Sequence, residues 1–304
     1  MNYLVTGGAG FIGSHITDRL LADGHSVRIL DNFSTGKREN IPAVSAVEVI
    51  EGDAGDIETV RHAMQGIDYV FHEAAIASVP ETVGNPLASE RVNYRGTLNI
   101  LESARHAGVK RVVFACSAAV YGDLPELPKR EDMPLKPLSP YAVDKLASEH
   151  ACQVYTRLYG LEAVALRYFN VFGPRQDPSS PYSGVISIFS DCLRQGKQPV
   201  IYGDGEQTRD FVFVSDVVEA NIRAAASTPA AGRAINIATG STLSINDMLR
   251  TICRLQGQPF DPDYQPGRQG DIQHSRADIG LARQYLDWEP VIGFETGLQE
   301  LFRN

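Results

Sequence analysis

The sequence predicts an α/β fold in which a doubly wound parallel sheet is followed by a smaller mixed α/β substrate unit. Three observations predict it. A glycine-rich turn separates an apolar strand from an amphipathic helix at residues 2–23. Strand and helix patterns then alternate through the first half of the chain, as in a parallel sheet covered on both faces. Finally, an acidic residue, Asp31, closes the second strand at the distance expected of a Rossmann-type nucleotide fold.

Residues 2–6, Asn-Tyr-Leu-Val-Thr, read as a short buried strand, and 11–23 as a helix stopped by Gly24. Between them Gly7, Gly10 and Gly13 follow a Gly-x-x-Gly-x-x-Gly spacing rather than Gly-x-Gly-x-x-Gly. Glycine here lets the backbone turn sharply and approach a pyrophosphate resting on the helix N-terminus. The strand at 26–30 ends on Asp31, whose carboxylate can accept hydrogen bonds from an adenosine ribose and would repel a 2′-phosphate. This favours NAD over NADP, with Arg28 and Lys37 as the nearby opposing cations. Further strands are predicted at 47–51, 69–74, 111–116 and 163–168, and helices at 57–64, 87–107 and 140–159. Ligands of such sheets bind beyond the carboxyl ends of the strands. Asp31, Asp53, the Ala74-Ala75 turn and Ser117 all fall there.

After Asn170 the pattern changes. Loops are expected at 173–178 and 181–184, helices near 184–195, 215–227 and 244–256, and short strands near 211–214 and 234–238 that can return to the main sheet. The chain therefore divides into a nucleotide-binding domain over 1–168 and a second domain over 169–304.

The 304 residues carry a formal net charge of −9 and no lysine- or arginine-rich tract, which argues against nucleic acid or an anionic membrane surface as partner. The four cysteines, at 116, 152, 192 and 253, lack metal or redox spacing, so no metal is expected. No leader-like segment precedes the first strand and no apolar run is long enough to span a bilayer; a soluble, reduced, cytoplasmic protein is expected.

Tyr141 and Lys145 lie four residues apart in Ser139-Pro140-Tyr141-Ala142-Val143-Asp144-Lys145. Ser139 can cap a helix and Pro140 suits its first turn. Residues four apart share a helix face, so the ammonium can lie beside the phenol. A tyrosine ionises near pH ~10; a fixed cation should favour the phenolate and bring that value toward the working pH. The product would be a base for an alcohol proton.

At this point the chain resembles the extended short-chain dehydrogenase/reductases, and among them the UDP-hexose 4-epimerases. The markers are Thr6 to Gly13, Asp31-Asn32-Phe33-Ser34-Thr35-Gly36, His72-Glu73-Ala74-Ala75 and Asn93-Tyr94-Arg95-Gly96-Thr97. Ser117 to Gly122, Ser139-Pro140-Tyr141, Arg167 to Pro174 and Gly205 to Phe211 complete the series, which covers essentially the whole chain. The resemblance implies a tightly held NAD, reduced and reoxidised within one turnover. Tyr141 would take the proton of the sugar 4-hydroxyl while C4 passes a hydride to the nicotinamide. The transient 4-keto sugar would turn over and receive the hydride on its other face. Ser117 matches the family's catalytic hydroxyl, and Tyr141 and Lys145 its base and cation. The implied cofactor set is Gly7, Gly10, Phe11, Ile12, Gly13, Asp31, Asn32, Ser34, Gly36, Asp53, Ala54, Ala74, Ala75, Asn93, Tyr141, Lys145 and Tyr168. Relatives form dimers through two long helices, here 87–107 and 140–159; Leu98, Leu101, Ala147 and Ala151 fit that seam or an ordinary core.

For the substrate, the resemblance assigns Asn170 to the diphosphate, Val185 and Ile186 to the uridine, Arg209 and Arg268 to the phosphates, and Asp271 to the uridine ribose. A planar guanidinium suits such contacts. Ser78, Ser117 and Tyr141 would face the sugar, and Ser275 matches the position that gates the sugar pocket. A small residue there leaves room for an acetamido group, so UDP-GlcNAc and UDP-GalNAc are expected substrates, with UDP-Glc and UDP-Gal also possible. Related 4,6-dehydratases carry Asp-Glu where this chain has Ala118-Ala119, which cannot move a proton. UDP-glucuronate 4-epimerases carry threonine at Asn170 and Arg-Pro-Asp-Met after the Pro-Arg-Gln; here Asp177-Pro178 follows. Both that activity and a non-catalytic NAD(H)-binding regulator remain as alternatives. Cys116 is expected to be a small buried residue rather than a nucleophile.

Overall fold

Apolar runs without alternation become central strands because both of their faces are covered. The computed structural model describes residues 1–177, 184–267 and 273–303. Its first six strands are β1 (Asn2–Thr6), β2 (Ser26–Asp31), β3 (Val47–Glu51), β4 (Tyr69–His72), β5 (Arg111–Ser117) and β6 (Glu162–Tyr168). The shorter strands β7 (Asn170–Phe172), β8 (Val200–Tyr202), β9 (Thr208–Arg209), β10 (Phe211–Phe213), β11 (Ala234–Ile237), β12 (Leu243–Ser244) and β13 (Asp263–Gln265) follow. The helices of the first half are α1 (Phe11–Ala22), α2 (Ile57–Ala63), α3 (Val79–Gly84), α4 (Pro86–Ser89), α5 (Gly96–Ala107) and α6 (Pro140–Tyr159). Those of the second half are α7 (Val185–Arg194), α8 (Val214–Ala226), α9 (Ile245–Gln256), α10 (Gly280–Leu286) and α11 (Phe294–Arg303).

Seven parallel strands form the main sheet in the order β11-β6-β5-β4-β1-β2-β3. Strand order runs outward in both directions from β1, so the crevice between β1 and β4 is the topological switch point. Helices α1 and α8 pack on one face and α2, α5 and α6 on the other. The main core lies between these layers; a second core gathers Phe172, Phe213, Met248, Leu249 and Leu298. No described helix is long and apolar enough to cross a membrane.

Two expectations need correction, and two that the sequence left open are resolved. The helix predicted over 87–107 is α4 and α5 joined by a π-helical turn, Glu90–Arg95. The widened turn frees the Asn93 carbonyl to accept from Thr97 Oγ1 at 2.6 Å and Ser148 Oγ at 3.4 Å. Strand β4 stops at His72 because the Glu73 and Ala74 amides turn toward Thr6, bonding its carbonyl at 3.1 Å and its Oγ1 at 3.3 Å. Of the two late strands, 234–237 returns to the main sheet but 211–213 does not. With β11 on the free edge of β6, β10 pairs instead with β7, Phe211 opposite Asn170. Finally, Leu101 and Ala151 belong to the main core, and Leu98 packs against it. Helices α3, α10 and α11 lie outside the predicted elements.

One buried ion pair binds sheet to helix. Arg167 on β6 clamps Glu149 on α6 with both ends of its guanidinium, at 2.8 and 2.6 Å, and also donates to the Tyr121 hydroxyl at 2.8 Å. Cys116 is buried as expected; its thiol donates to Glu149 Oε2 at 3.3 Å, and burial pushes its pKa well above the ordinary thiol value. Removing one partner of such a pair strands the other charge in the core. We expect Glu149→Gln to cost about 3–5 kcal/mol of folding free energy, read from guanidinium denaturation midpoints; a loss below ~1 kcal/mol would show that Arg167 is compensated otherwise.

Candidate active site

The glycine turn fits a dinucleotide because side chains have no room in it. A Cβ at Gly7, where φ is +69°, would lie 2.8 Å from the Ala74 nitrogen, and one at Gly13 would lie 2.3 Å from the Gly7 carbonyl oxygen. Gly10 precedes the first turn of α1, where Phe11 and Ile12 begin the helix, so its free amides face the carboxyl edge of the sheet. The Asp31 carboxylate accepts from the Ala9 amide at 2.9 Å and the Phe33 amide at 2.8 Å. Each oxygen keeps a second acceptor site, as ribose hydroxyls require. A Cβ at Gly36 would come within 2.8 Å of that carboxylate. The Lys37 amide and the Asn40 side chain both bond the Ala9 carbonyl at 2.9 Å, and Asn32 Oδ1 accepts from the Ser34 amide at 3.0 Å. Arg28 is held by Glu48 at 2.7 Å and by the Ala63 and Gln65 carbonyls, so it does not compete for Asp31. Asp53 accepts from Gly55 at 2.7 Å and Arg91 at 2.9 Å, and the Ala54 carbonyl accepts from Asn99 at 3.0 Å. Asn93 brackets Ile76, just past Ala74-Ala75, accepting from its amide at 2.8 Å and donating to its carbonyl at 3.1 Å.

The catalytic candidates come together at the ends of β4, β5 and β6. Ser139 caps α6, its Oγ accepting from the Ala142 amide at 3.2 Å, and Pro140 opens the first turn. Tyr141 and Lys145 then face the end of β5. Lys145 Nζ donates to the Ala115 carbonyl at 2.6 Å and sits 5.8 Å from the Tyr141 ring centroid. Ser117 Oγ accepts from the Ala119 amide at 3.2 Å and is hydrogen-bonded to the Tyr141 phenol.

The electrostatics overturn one expectation. Tyr141 is pushed up to about 12, not down: burial is the main cause, and the Cys116 and Glu73 charges add to it against the lowering bond from Ser117. Lys145 is itself lowered by burial, partly opposed by Cys116, Glu73 and Asp144. Desolvation of the phenolate thus dominates the position of Tyr141.

Two residues left without a role by the sequence reading stand in this crevice. His72 is buried and neutral, lowered to about 3 by burial, and bridges Thr6 Oγ1 at 2.7 Å and Thr97 Oγ1 at 3.1 Å. Thr97 already donates to Asn93, which assigns the ring proton to Nε2 and leaves Nδ1 to accept from Thr6. Glu73 is raised to about 7 by burial and accepts from the Tyr168 hydroxyl at 2.9 Å. The available signal was an acid ending the otherwise apolar run Tyr69-Val70-Phe71.

A second cluster surrounds the buried Asp210. Its carboxylate accepts from the Thr239 amide and hydroxyl, the Gly240 amide and the Ala277 amide, at 2.6–3.2 Å. Its carbonyl accepts from the Asn170 amide at 3.1 Å and side chain at 3.2 Å. Next to it, Arg209 donates to the Thr208 carbonyl at 2.9 Å, and the Ser275 amide bonds that same carbonyl at 3.1 Å. Arg209 also borders a cleft of about 510 Å³ with Phe211, Thr239 and Phe294. The Ile186 side chain is buried in the second core with Val185 packed against it, which leaves Ile186 only backbone groups to offer a ligand. Ser78 caps α3, accepting from the Glu81 amide at 3.1 Å. Arg268 and Asp271 lie outside the described residues.

Comparison with known proteins accords with this geometry. A UDP-glucose 4-epimerase of Mycolicibacterium smegmatis is 42% identical over 315 residues, covering 100% of this chain and 99% of the relative. The solved UDP-N-acetylglucosamine 4-epimerase of Methanobrevibacter ruminantium, in complex with UDP-N-acetylmuramic acid, superposes with a TM-score of 0.95 at 42% identity, covering 99% of this chain and 97% of that one. The Thermus thermophilus UDP-glucose 4-epimerase in complex with NAD gives 0.90 at 40% identity, covering 100% and 98%. The model of one family spans residues 3–238, from the glycine turn through Ser117, Tyr141 and Lys145 to the last main-sheet strand. With that span matched and the cradle and hydroxyl pair in place, the chain belongs to the NAD dependent epimerase/dehydratase family.

Proposed function

We propose that this protein is an NAD-dependent UDP-sugar 4-epimerase whose preferred substrates are UDP-GlcNAc and UDP-GalNAc, with UDP-Glc and UDP-Gal also accepted. The observation that carries the reading is the union of Ser117, Tyr141 and Lys145 at the edge where the glycine turn and Asp31 open. When bound, NAD supplies the hydride acceptor and donor together with a cationic ring. Tyr141 is the group that exchanges a proton with the sugar 4-hydroxyl. Ser117 holds the phenol and shares the sugar hydroxyl, and Lys145 supplies a fixed positive charge anchored on the Ala115 carbonyl. With Tyr141 at about 12 from burial, the protonated phenol dominates at neutral pH in this structure. Added positive charge on ligand binding acts in the same direction as Lys145, toward the phenolate.

The nucleotide half of the substrate is assigned to Asn170, Val185, Ile186 and Arg209, beside the second core, and by the family pattern to Arg268 and Asp271. Ala118 and Ala119 offer no proton-transfer group, which disfavours elimination of water. Arg175, the cation closest to the family's glucuronate signature, is paired with Asp18 at 2.7 Å, which disfavours a sugar carboxylate. The acetamido preference rests on Ser275. Shape discrimination of this size is worth ~1–3 kcal/mol, so the preference should be graded.

We also propose a homodimer. On α3, α4 and α6 an apolar face remains open: Val83, Leu87, Val143, Val154 and Leu158 are all exposed, Leu87 by 80%. Its α6 members recur at helical spacing on one stripe.

Three outcomes are expected. Tyr141→Phe should keep the fold and retained NAD but reduce turnover by ~10²-fold or more; near-normal turnover would remove it as the proton-exchanging group. In proton NMR assays of C4 inversion, the wild type should convert UDP-GalNAc faster than UDP-Gal and leave UDP-GlcA unchanged, and Ser275→Tyr should reverse the first preference. Equal losses on both sugars would discard Ser275 as a size gate. Sedimentation should give a dimer that Val154→Glu with Leu158→Glu converts to an active-site-intact monomer; an unchanged mass would place any interface elsewhere.

A further inference from the structure

We propose that Asn236 is a positioning residue for sugar selection: from the edge of the main sheet it ties the segment that carries Ser275 to the turn that carries Ser117. Its catalytic meaning rests on the epimerase reading; its geometry does not.

A row of polar side chains crosses three strands one residue short of their ends. Cys116 on β5 lies opposite Arg167 on β6, and Arg167 opposite Asn236 on β11. Side chains in parallel register point to the same face, and here Cys116 and Arg167 both meet Glu149 of α6. Asn236 is fully buried and meets a different partner, Tyr121, which closes the short helical turn Ala118–Tyr121 after Ser117. The Tyr121 hydroxyl accepts from Arg167 at 2.8 Å, so its own proton goes to Asn236 Oδ1 at 2.7 Å. That bond orients the amide, with its oxygen toward the catalytic turn. Nδ2 then places its protons on two carbonyls, Lys129 at 2.9 Å and Asp278 at 3.2 Å.

Those carbonyls belong to two segments that run side by side. The Lys129 amide donates to the Arg276 carbonyl at 2.7 Å, and the Asp278 amide donates to the Lys129 carbonyl at 2.9 Å. The Lys129 segment leaves the catalytic turn at Gly122 and returns where the Lys136 amide donates to the Val120 carbonyl at 3.0 Å. Midway, Glu131 Oε1 accepts from the Asn236 backbone amide at 2.8 Å and covers the free edge of β11. Residues 123–136 thus form a strap between the Ser117 turn and the segment that follows Ser275. Asn236 is the point where turn, strap and segment are joined. A buried polar group with each atom paired specifies one arrangement, whereas a leucine there would leave a phenol proton and two carbonyls without this partner. Asp210 also holds this segment, through the Ala277 amide. Asn170 and Arg209 hang instead from the Asp210 and Thr208 carbonyls, which Asn236 does not touch. The Asn236 tie is therefore added on the sugar side alone.

The test uses the purified holoenzyme. In Asn236→Leu the Lys129 and Asp278 amides should exchange with deuterium about tenfold faster or more, since buried carbonyls lose a donor. The preference for UDP-GalNAc over UDP-Gal, taken as the ratio of kcat/KM values for C4 inversion, should fall by about tenfold. Inhibition by UDP should be unchanged. Tyr121→Phe leaves the Asn236 amide unoriented but its packing intact. It should move exchange and preference in the same direction by less, and it carries the test if Asn236→Leu does not fold. A preference that persists in the folded variant overturns the proposal, as does unchanged exchange at Lys129 and Asp278. UDP inhibition weakened as much as the sugar preference would also overturn it, by showing a general loosening of the site. Absence of wild-type turnover on every UDP-sugar, or a preference that Ser275→Tyr leaves untouched, would sink the epimerase or gate reading instead. Amide exchange would then still decide whether Asn236 ties the segment.

Discussion

The close approach of the first glycine turn to the crevice between β1 and β4 constrains everything built at this edge. Gly13 brings α1 against the Gly7 carbonyl, and Gly7 lies against the Ala74 backbone, with no volume for even a methyl group at either place. That contact aims the N-terminus of α1 at the switch point and sets where the chain leaves β4. From the same strand ends, Asp31 ties down Ala9, and Thr6 begins a buried chain through His72 and Thr97 to the Asn93 carbonyl. The π-helical turn follows from this arrangement: the Asn93 carbonyl is committed to side-chain donors instead of the regular helical ladder. A cofactor cradle and a distorted helix about eighty residues away in sequence are thus parts of one packing solution.

Around this frame the molecule buries ionisable groups at a cost it offsets pairwise. Arg167 and Glu149 neutralise one another in the core, with Tyr121 and Cys116 completing their hydrogen bonds. Closer to the catalytic edge the compensation is incomplete. Lys145 has a carbonyl for a partner rather than a carboxylate, Tyr141 has a serine hydroxyl, and Glu73 has a phenol. Each therefore carries a displaced pKa, which burial raises for Tyr141 and Glu73 and lowers for Lys145. The contrast is one of satisfaction: a fully paired couple holds α6 on the sheet, and the groups at the strand ends keep displaced pKa values because their partners are neutral.

The main sheet was legible because its signals are local. Mainly apolar strands of five to seven residues, the glycine spacing and the Ser139-Pro140 helix start each act within a few residues of themselves. What escaped reading was set by tertiary competition. The 87–107 stretch has helical periodicity throughout, and nothing in that pattern announces that Asn93 will spend its carbonyl elsewhere. Strand 211–213 has the composition of a main-sheet strand but finds the edge of β6 taken by β11. The Tyr141 charge state was misread for a related reason. Helical spacing shows that Lys145 shares its face, but not that the crevice dries both groups enough for desolvation to dominate. Glu73 was visible as a letter in a motif; its partner Tyr168 is 95 residues away.

Substrate choice is distributed in a way that a single gating position understates. Ser275 owes its location to the Thr208 carbonyl, and Ala277 two residues on is held by Asp210. The same aspartate positions Asn170 through its carbonyl and flanks Arg209, so the candidate phosphate contacts and the candidate sugar gate share one anchor. A buried carboxylate with four donors is stiff, and burial nonetheless lifts its pKa, which shows how completely that anchor is withdrawn from water. One buried anchor thus fixes the backbone beside both candidate groups, so the side chain at position 275 can change in size without moving Asn170.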